Sequence, residues 1–151
     1  MSIKYKRAIN VIEKSAMRGK YALGIFLDIE GAFDNLNFET IRMSLERCEV
    51  NNQFTNWYYF FLQNRELTVN LNGTERHKRP MRGTPQGGIL SPIIWNICID
   101  SLISELDNTS ADVVGFADDI LTIATGLDLN TVVSIAQNTI NIATKWGVTN
   151  S

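Results

Sequence analysis

Apolar positions recur with helical spacing at Ala8, Ile9, Ile12 and Ala16, predicting a helix over residues 5–18 that Gly19 stops. Tyr21 to Asp28 follows as a run apolar on both sides, the pattern of a central strand covered on both faces. Asn37 is placed to cap a helix whose Ile41, Leu45 and Cys48 share one side, and a further helix is expected from Gln53 to Leu62. Its aromatic run, Trp57 to Phe61, reads as a buried helical surface. Leu67, Val69 and Leu71 then alternate with polar residues up to Asn72-Gly73, a hairpin signal. Ser91-Pro92 reads as a cap and first helical position, with Trp95, Ile99, Leu102 and Leu106 as the buried stripe behind it. Two short apolar runs, Val113 to Ala117 and Ile120 to Ala124, meet at Asp118-Asp119, and Leu129, Val132, Ala136, Ile140, Ala143 and Trp146 mark a terminal amphipathic helix. This order of elements implies an α+β fold, an antiparallel sheet with helices packed mainly on one face.

Composition narrows the class. At 151 residues, with 44% hydrophobic and 20% charged positions, the chain is expected to form one globular domain with a real core. Two cysteines, Cys48 and Cys98, and the single His77 support neither a disulfide scaffold nor a zinc site, and suggest a reducing, intracellular setting. No apolar run is long enough to predict a membrane span. The net charge of −2 is unexpected in a protein that grips a polyanion, and metal-ligand carboxylates would account for only part of that acidity. The densest basic cluster is Arg76, His77, Lys78, Arg79 and Arg82, residues suited to backbone phosphates as well as to a solvated surface.

The acids carry the chemistry. Apolar strands normally end in neutral turn residues, yet one run here ends at Asp28 and two others meet at Asp118-Asp119. Carboxylates gathered at strand ends suit hard divalent cations, and paired cations serve phosphoryl and nucleotidyl transfer. Between the acids lies RGTPQGGILSP, where Gly83, Gly87 and Gly88 let the backbone approach a ligand closely, Pro85 stiffens the loop and Gln86 offers both a donor and an acceptor.

In order and wording, FLDIEGAFD, RGTPQGGILSPIIWN and GFADD resemble the three central palm motifs of reverse transcriptases, those of non-LTR retrotransposons above all. The resemblance runs from about Tyr21 to Gly147. It implies an RNA-directed DNA polymerase in which Asp28, Asp118 and Asp119, with the carbonyl of Ile29, hold two Mg²⁺ ions, for which Mn²⁺ can substitute. It likewise implies that Phe33 lies against the sugar of the incoming nucleotide, that Gln86 and Gly87 contact that nucleotide, and that Arg79, Arg82, Gly83 and Pro85 contact nucleic acid. The implied partners are an RNA template, a DNA primer and deoxynucleoside triphosphates, with no membrane. A nuclear location is implied for a eukaryotic retrotransposon product.

On the same resemblance, residues 1–20 are what is left of a fingers or palm helix and residues 21–151 are the palm. The resemblance further implies that most of the fingers and all of the thumb lie outside these residues, and that those segments are needed for full function. Two alternatives stand beside this reading. One is an inactive remnant of a mobile element. The other is an aspartate-dependent phosphatase of the haloacid-dehalogenase type, which shares the look of FLDIEG and GFADD but expects a second Asp where Glu30 stands and has no use for RGTPQGGILSP.

Overall fold

A computed structural model describes residues 3–116 and 118–150; Ala117, expected to close one of the strands, lies outside them. The chain forms two compact units, one of residues up to Glu30 with Ile99–Thr149, the other of Gly31–Cys98 with Asn150. Elements run α1 (Ile3–Met17), β1 (Tyr21–Asp28), α2 (Ala32–Asn35), α3 (Phe38–Arg47), α4 (Asn52–Asn64), β2 (Leu67–Leu71), β3 (Thr74–Lys78), α5 (Ser91–Asp107), β4 (Ala111–Phe116), β5 (Asp119–Gly126) and α6 (Leu129–Asn150). Among the described residues no helix is long and apolar enough to cross a membrane.

The first unit is built on an antiparallel sheet ordered β1-β5-β4. Successive strand residues point to opposite faces, so β5 carries two sets of contacts. Leu121 and Ile123 pack with Val114 of β4 and with Ala8 and Val11 of α1. Ala124 packs on the other side with Val132 and Ala136 of α6, and with Ile25. The latter face also receives α5, whose Ile103 would stand 2.9 Å from a Cβ placed on Gly115. Two helices thus cover one face and α1 part of the other. The expectation of a central β1 is corrected: β5 holds the centre, β1 lies at the edge, and Phe26 is 74% exposed. An all-apolar strand records what burial it tolerates, not how many neighbours it has.

The second unit packs α3 on α4 beside a two-stranded hairpin. The side chain of Asn37 caps α3, accepting from the Thr40 amide at 2.6 Å, and Asn51 accepts from the Gln53 amide at 2.8 Å to cap α4. Asn72 and Gly73 both have positive φ, 52° and 82°, as a tight turn matched to strand twist requires. Burial of the whole aromatic run is also corrected. Consecutive helical residues wrap around the axis, so Tyr58 is buried while Trp57, Phe60 and Phe61 are exposed.

Candidate functional site

Strand register brings the first and last acidic motifs together. β1 pairs with β5 so that Asp28 lies directly opposite Asp119, and on the other side of β5 Phe116 also pairs with Asp119. Residues so paired have Cβ atoms about 5 Å apart, where two like charges repel. Strand alternation sets Asp28 and Asp119 on the face of Phe26, Leu121 and Val114, and these side chains line a small pocket of about 110 Å³ at that end of the sheet. Phe26, on this face, is exposed. Asp118 occupies the turn immediately before β5 and is exposed. Among the described residues no three Asp, Glu, His or Cys side chains stand close enough to hold one ion jointly, so the geometry on hand is a facing pair with a third acid adjacent in the turn. Ile29 follows the end of β1, where its carbonyl is no longer part of the strand. Paired carboxylates and a main-chain carbonyl are an all-oxygen donor set, which fits magnesium in kind.

The second unit assembles the Gly-rich loop. Gly83 donates to the Leu36 carbonyl and Thr84 to that of Phe33, both at 2.7 Å, so the loop is tied to the segment that follows the first acidic motif. Gly83 has φ +81°, and a Cβ there would stand 2.6 Å from the Asp34 carbonyl oxygen; conformation and space both demand glycine. Gly87, with φ +80°, has open space around it, and Gln86 is exposed. Ser91 does not cap its helix as expected. Its hydroxyl donates to the Pro85 carbonyl at 2.6 Å, and the Leu90 carbonyl accepts the first helical bond, from Ile94. Phe33 is half-buried, its ring 5.8 Å from that of the buried Trp95.

Beside the loop opens a cleft of about 790 Å³, with Arg82, Gly83, Pro85 and Gln86 on one wall and Arg65 and Lys78 contributing further positive charge. Arg79 is exposed just after β3. Arg65 is the residue that sequence reasoning missed. Following an aromatic helix it reads as an ordinary C-terminal charge, and nothing local announces that its Nη2 donates to the Gly83 carbonyl at 2.6 Å.

The reverse transcriptase (RNA-dependent DNA polymerase) family matches residues 2–151. The chain belongs to that family. It is 27% identical over 128 residues to the retrovirus-related Pol polyprotein from type-1 retrotransposable element R1 of Bradysia coprophila, a match covering 85% of this chain and 12% of the relative. Identity is 30% over 133 residues with the 115 kDa protein in type-1 retrotransposable element R1DM of Drosophila melanogaster, covering 87% and 13%. With the RNA-directed DNA polymerase from mobile element jockey of the same fly it is 23% over 150 residues, covering 93% and 16%. The chain therefore spans a small fraction of the length of these relatives. Its fold is similar to that of apo telomerase from Candida tropicalis truncated from its C-terminal domain, with a TM-score of 0.72 at 17% identity over 97% of this chain and 33% of that one. The R1 and jockey relatives are reverse transcriptases of the non-LTR kind, and the reverse transcriptase family is in general dependent on divalent metal.

Proposed function

We propose that this chain is the catalytic palm portion of a non-LTR retrotransposon reverse transcriptase, adding deoxynucleotides to a primer 3′-hydroxyl on an RNA template. The observation that carries the reading is Asp28 directly opposite Asp119, each within a stretch that resembles a palm motif of the family. Facing carboxylates are electrostatically costly in a sheet unless a cation joins them. Asp28, Asp118 and Asp119, with the Ile29 carbonyl, would hold two Mg²⁺ ions. When bound, such ions make the hydroxyl a better nucleophile and neutralise charge on the transferring phosphate.

The chain's own residues do the positioning. The primer oxygen forms a bond to the α-phosphorus of a deoxynucleoside triphosphate as the bond to pyrophosphate breaks. Phe33, steadied on Trp95, is assigned to the sugar, where a ring clashes with a 2′-hydroxyl and excludes ribonucleotides. Gln86 and Gly87 are assigned to the nucleotide, and Arg79, Arg82, Gly83 and Pro85 to nucleic acid. In family terms residues 21–151 would be palm and residues 1–20 the remainder of a preceding helix, with further fingers and thumb segments completing the enzyme. A eukaryotic element of this kind acts in the nucleus.

The test is Mg²⁺-dependent extension of a labelled DNA primer on an RNA template. Wild type is expected to extend and Asp118→Ala to lose extension by at least about a hundredfold, the scale of removing a principal electrostatic group. Extension that persists in Asp118→Ala would remove the metal role. In the same assay Phe33→Val is expected to admit ribonucleotides.

A further inference from the structure

Among the described residues Arg65 forms no ion pair with an acidic side chain. It sits at the C-terminus of α4, half-buried, and donates from Nε to the Leu62 carbonyl at 3.4 Å and from Nη2 to the Gly83 carbonyl at 2.6 Å. Its guanidinium carbon lies 5.9 Å from the centre of the Phe38 ring. Both hydrogen-bond acceptors are neutral main-chain oxygens. Asp34 and Glu66 line the same cleft, yet neither forms an ion pair with Arg65. Burial holds its pKa below the ordinary arginine value, the direction expected of a desolvated charge. An arginine carries five N–H donors, and the carbonyl bonds engage only part of that fork.

The surroundings say what completes it. Lys78 and Arg82 bring two further cations to the cleft, and Phe61 and Met81, 41% and 83% exposed, give it apolar walls. Cations along a groove with exposed aromatic and apolar side chains are the chemistry that takes a single nucleic-acid strand: phosphates on the charges, bases on the flat surfaces. A volume of about 790 Å³ admits nucleotide units and not merely a free ion.

We propose that Arg65 is a phosphate-gripping residue and that the cleft between the β2–β3 hairpin and the Gly-rich loop carries the backbone of a single nucleic-acid strand. This rests on the polymerase reading above. One guanidinium then does two things, holding a phosphate and holding the Gly83 carbonyl, so strand engagement and the placement of the loop are mechanically joined. Lysine cannot replace it in full, because an ammonium is a point charge without the planar fork.

The test is fluorescence anisotropy of a short labelled RNA with the whole chain over a range of salt. Arg65→Gln is expected to weaken binding about tenfold, the loss of a charge-assisted hydrogen bond. The slope of log affinity against log salt should also become shallower by about 0.7, one phosphate contact on a single strand. Arg65→Lys should keep the slope and lose affinity. Lys78→Gln, on an exposed strand where folding does not depend on it, should also flatten the slope. Wild-type slopes in both Arg65→Gln and Lys78→Gln would overturn the proposal. So would an Arg65→Gln chain that loses competition by tripolyphosphate but keeps its RNA slope, since the phosphate would then be the nucleotide's. A wild type that extends primers while the variants bind RNA normally rejects the cleft alone, whereas a wild type that neither binds RNA nor extends rejects the polymerase reading and the cleft with it.

Discussion

Asp28 and Asp119 are Cα partners across the β1–β5 ladder, the last pair before the turn that carries Asp118. Like charges directly opposite in an antiparallel pair destabilise a sheet by a few tenths to about 1 kcal/mol. Asp28→Asn is therefore expected to raise stability by up to about that amount in urea unfolding at low salt with a chelator present. Unchanged or lower stability would mean the two carboxylates do not repel in the metal-free protein.

Gly83 has no room for a side chain. Gly83→Ala forces a Cβ to within 2.6 Å of the Asp34 carbonyl oxygen at a φ of +81° that alanine disfavours. The expected cost is about 2 kcal/mol or more in urea unfolding, combining backbone strain with a steric clash. Gly87→Ala is strained in backbone alone and should cost less; an equal cost at both positions would contradict the close docking of the loop.

Asp128 caps α6, its Oδ2 accepting from the Thr131 amide at 2.8 Å and the Thr131 hydroxyl at 3.0 Å. These bonds, the amide first, hold its carboxyl below the ordinary aspartate value of about 3.9. A group with a lowered folded-state pKa contributes stability that is present above the unfolded value and lost as pH falls through the folded one. The destabilisation caused by Asp128→Ala should thus be largest near neutrality and shrink in acid. A penalty independent of pH between neutral and strongly acid solution would contradict the cap.

The two thiols differ sharply. Cys48 is exposed at the end of α3, whereas Cys98 is buried in α5, which pushes its pKa up to about 11. A disulfide reagent at mildly alkaline pH should titrate Cys48 at once and reach Cys98 only after unfolding, because the thiolate is the reactive form. Rapid modification of both would show that α5 is not packed as described.

Much of this arrangement is legible in the chain because it is local. Asn72-Gly73 announces its turn, Asn37 its cap, and the acids that end the apolar runs mark the strand ends where Asp28 and Asp119 come to lie opposite each other. What is not legible depends on partners remote in sequence. The apolar run of β1 does not tell edge from centre, since that is decided by which strand pairs with which. The short α2 has too few residues for a periodic signal. The Ser91 hydroxyl turns from its helix to Pro85, and Arg65 reaches Gly83, through contacts that no spacing rule encodes.

The most direct measurement is Mn²⁺ binding followed by electron paramagnetic resonance, in the wild type and in a chain carrying both Asp28→Asn and Asp119→Asn. Binding to the wild type is expected to be saturable, competed by Mg²⁺ and weakened at least about tenfold by the paired substitution, on the scale of lost metal ligation. Equal Mn²⁺ affinity in the two proteins, with both folded, would contradict the claim that the facing acids of β1 and β5 exist to hold a divalent ion.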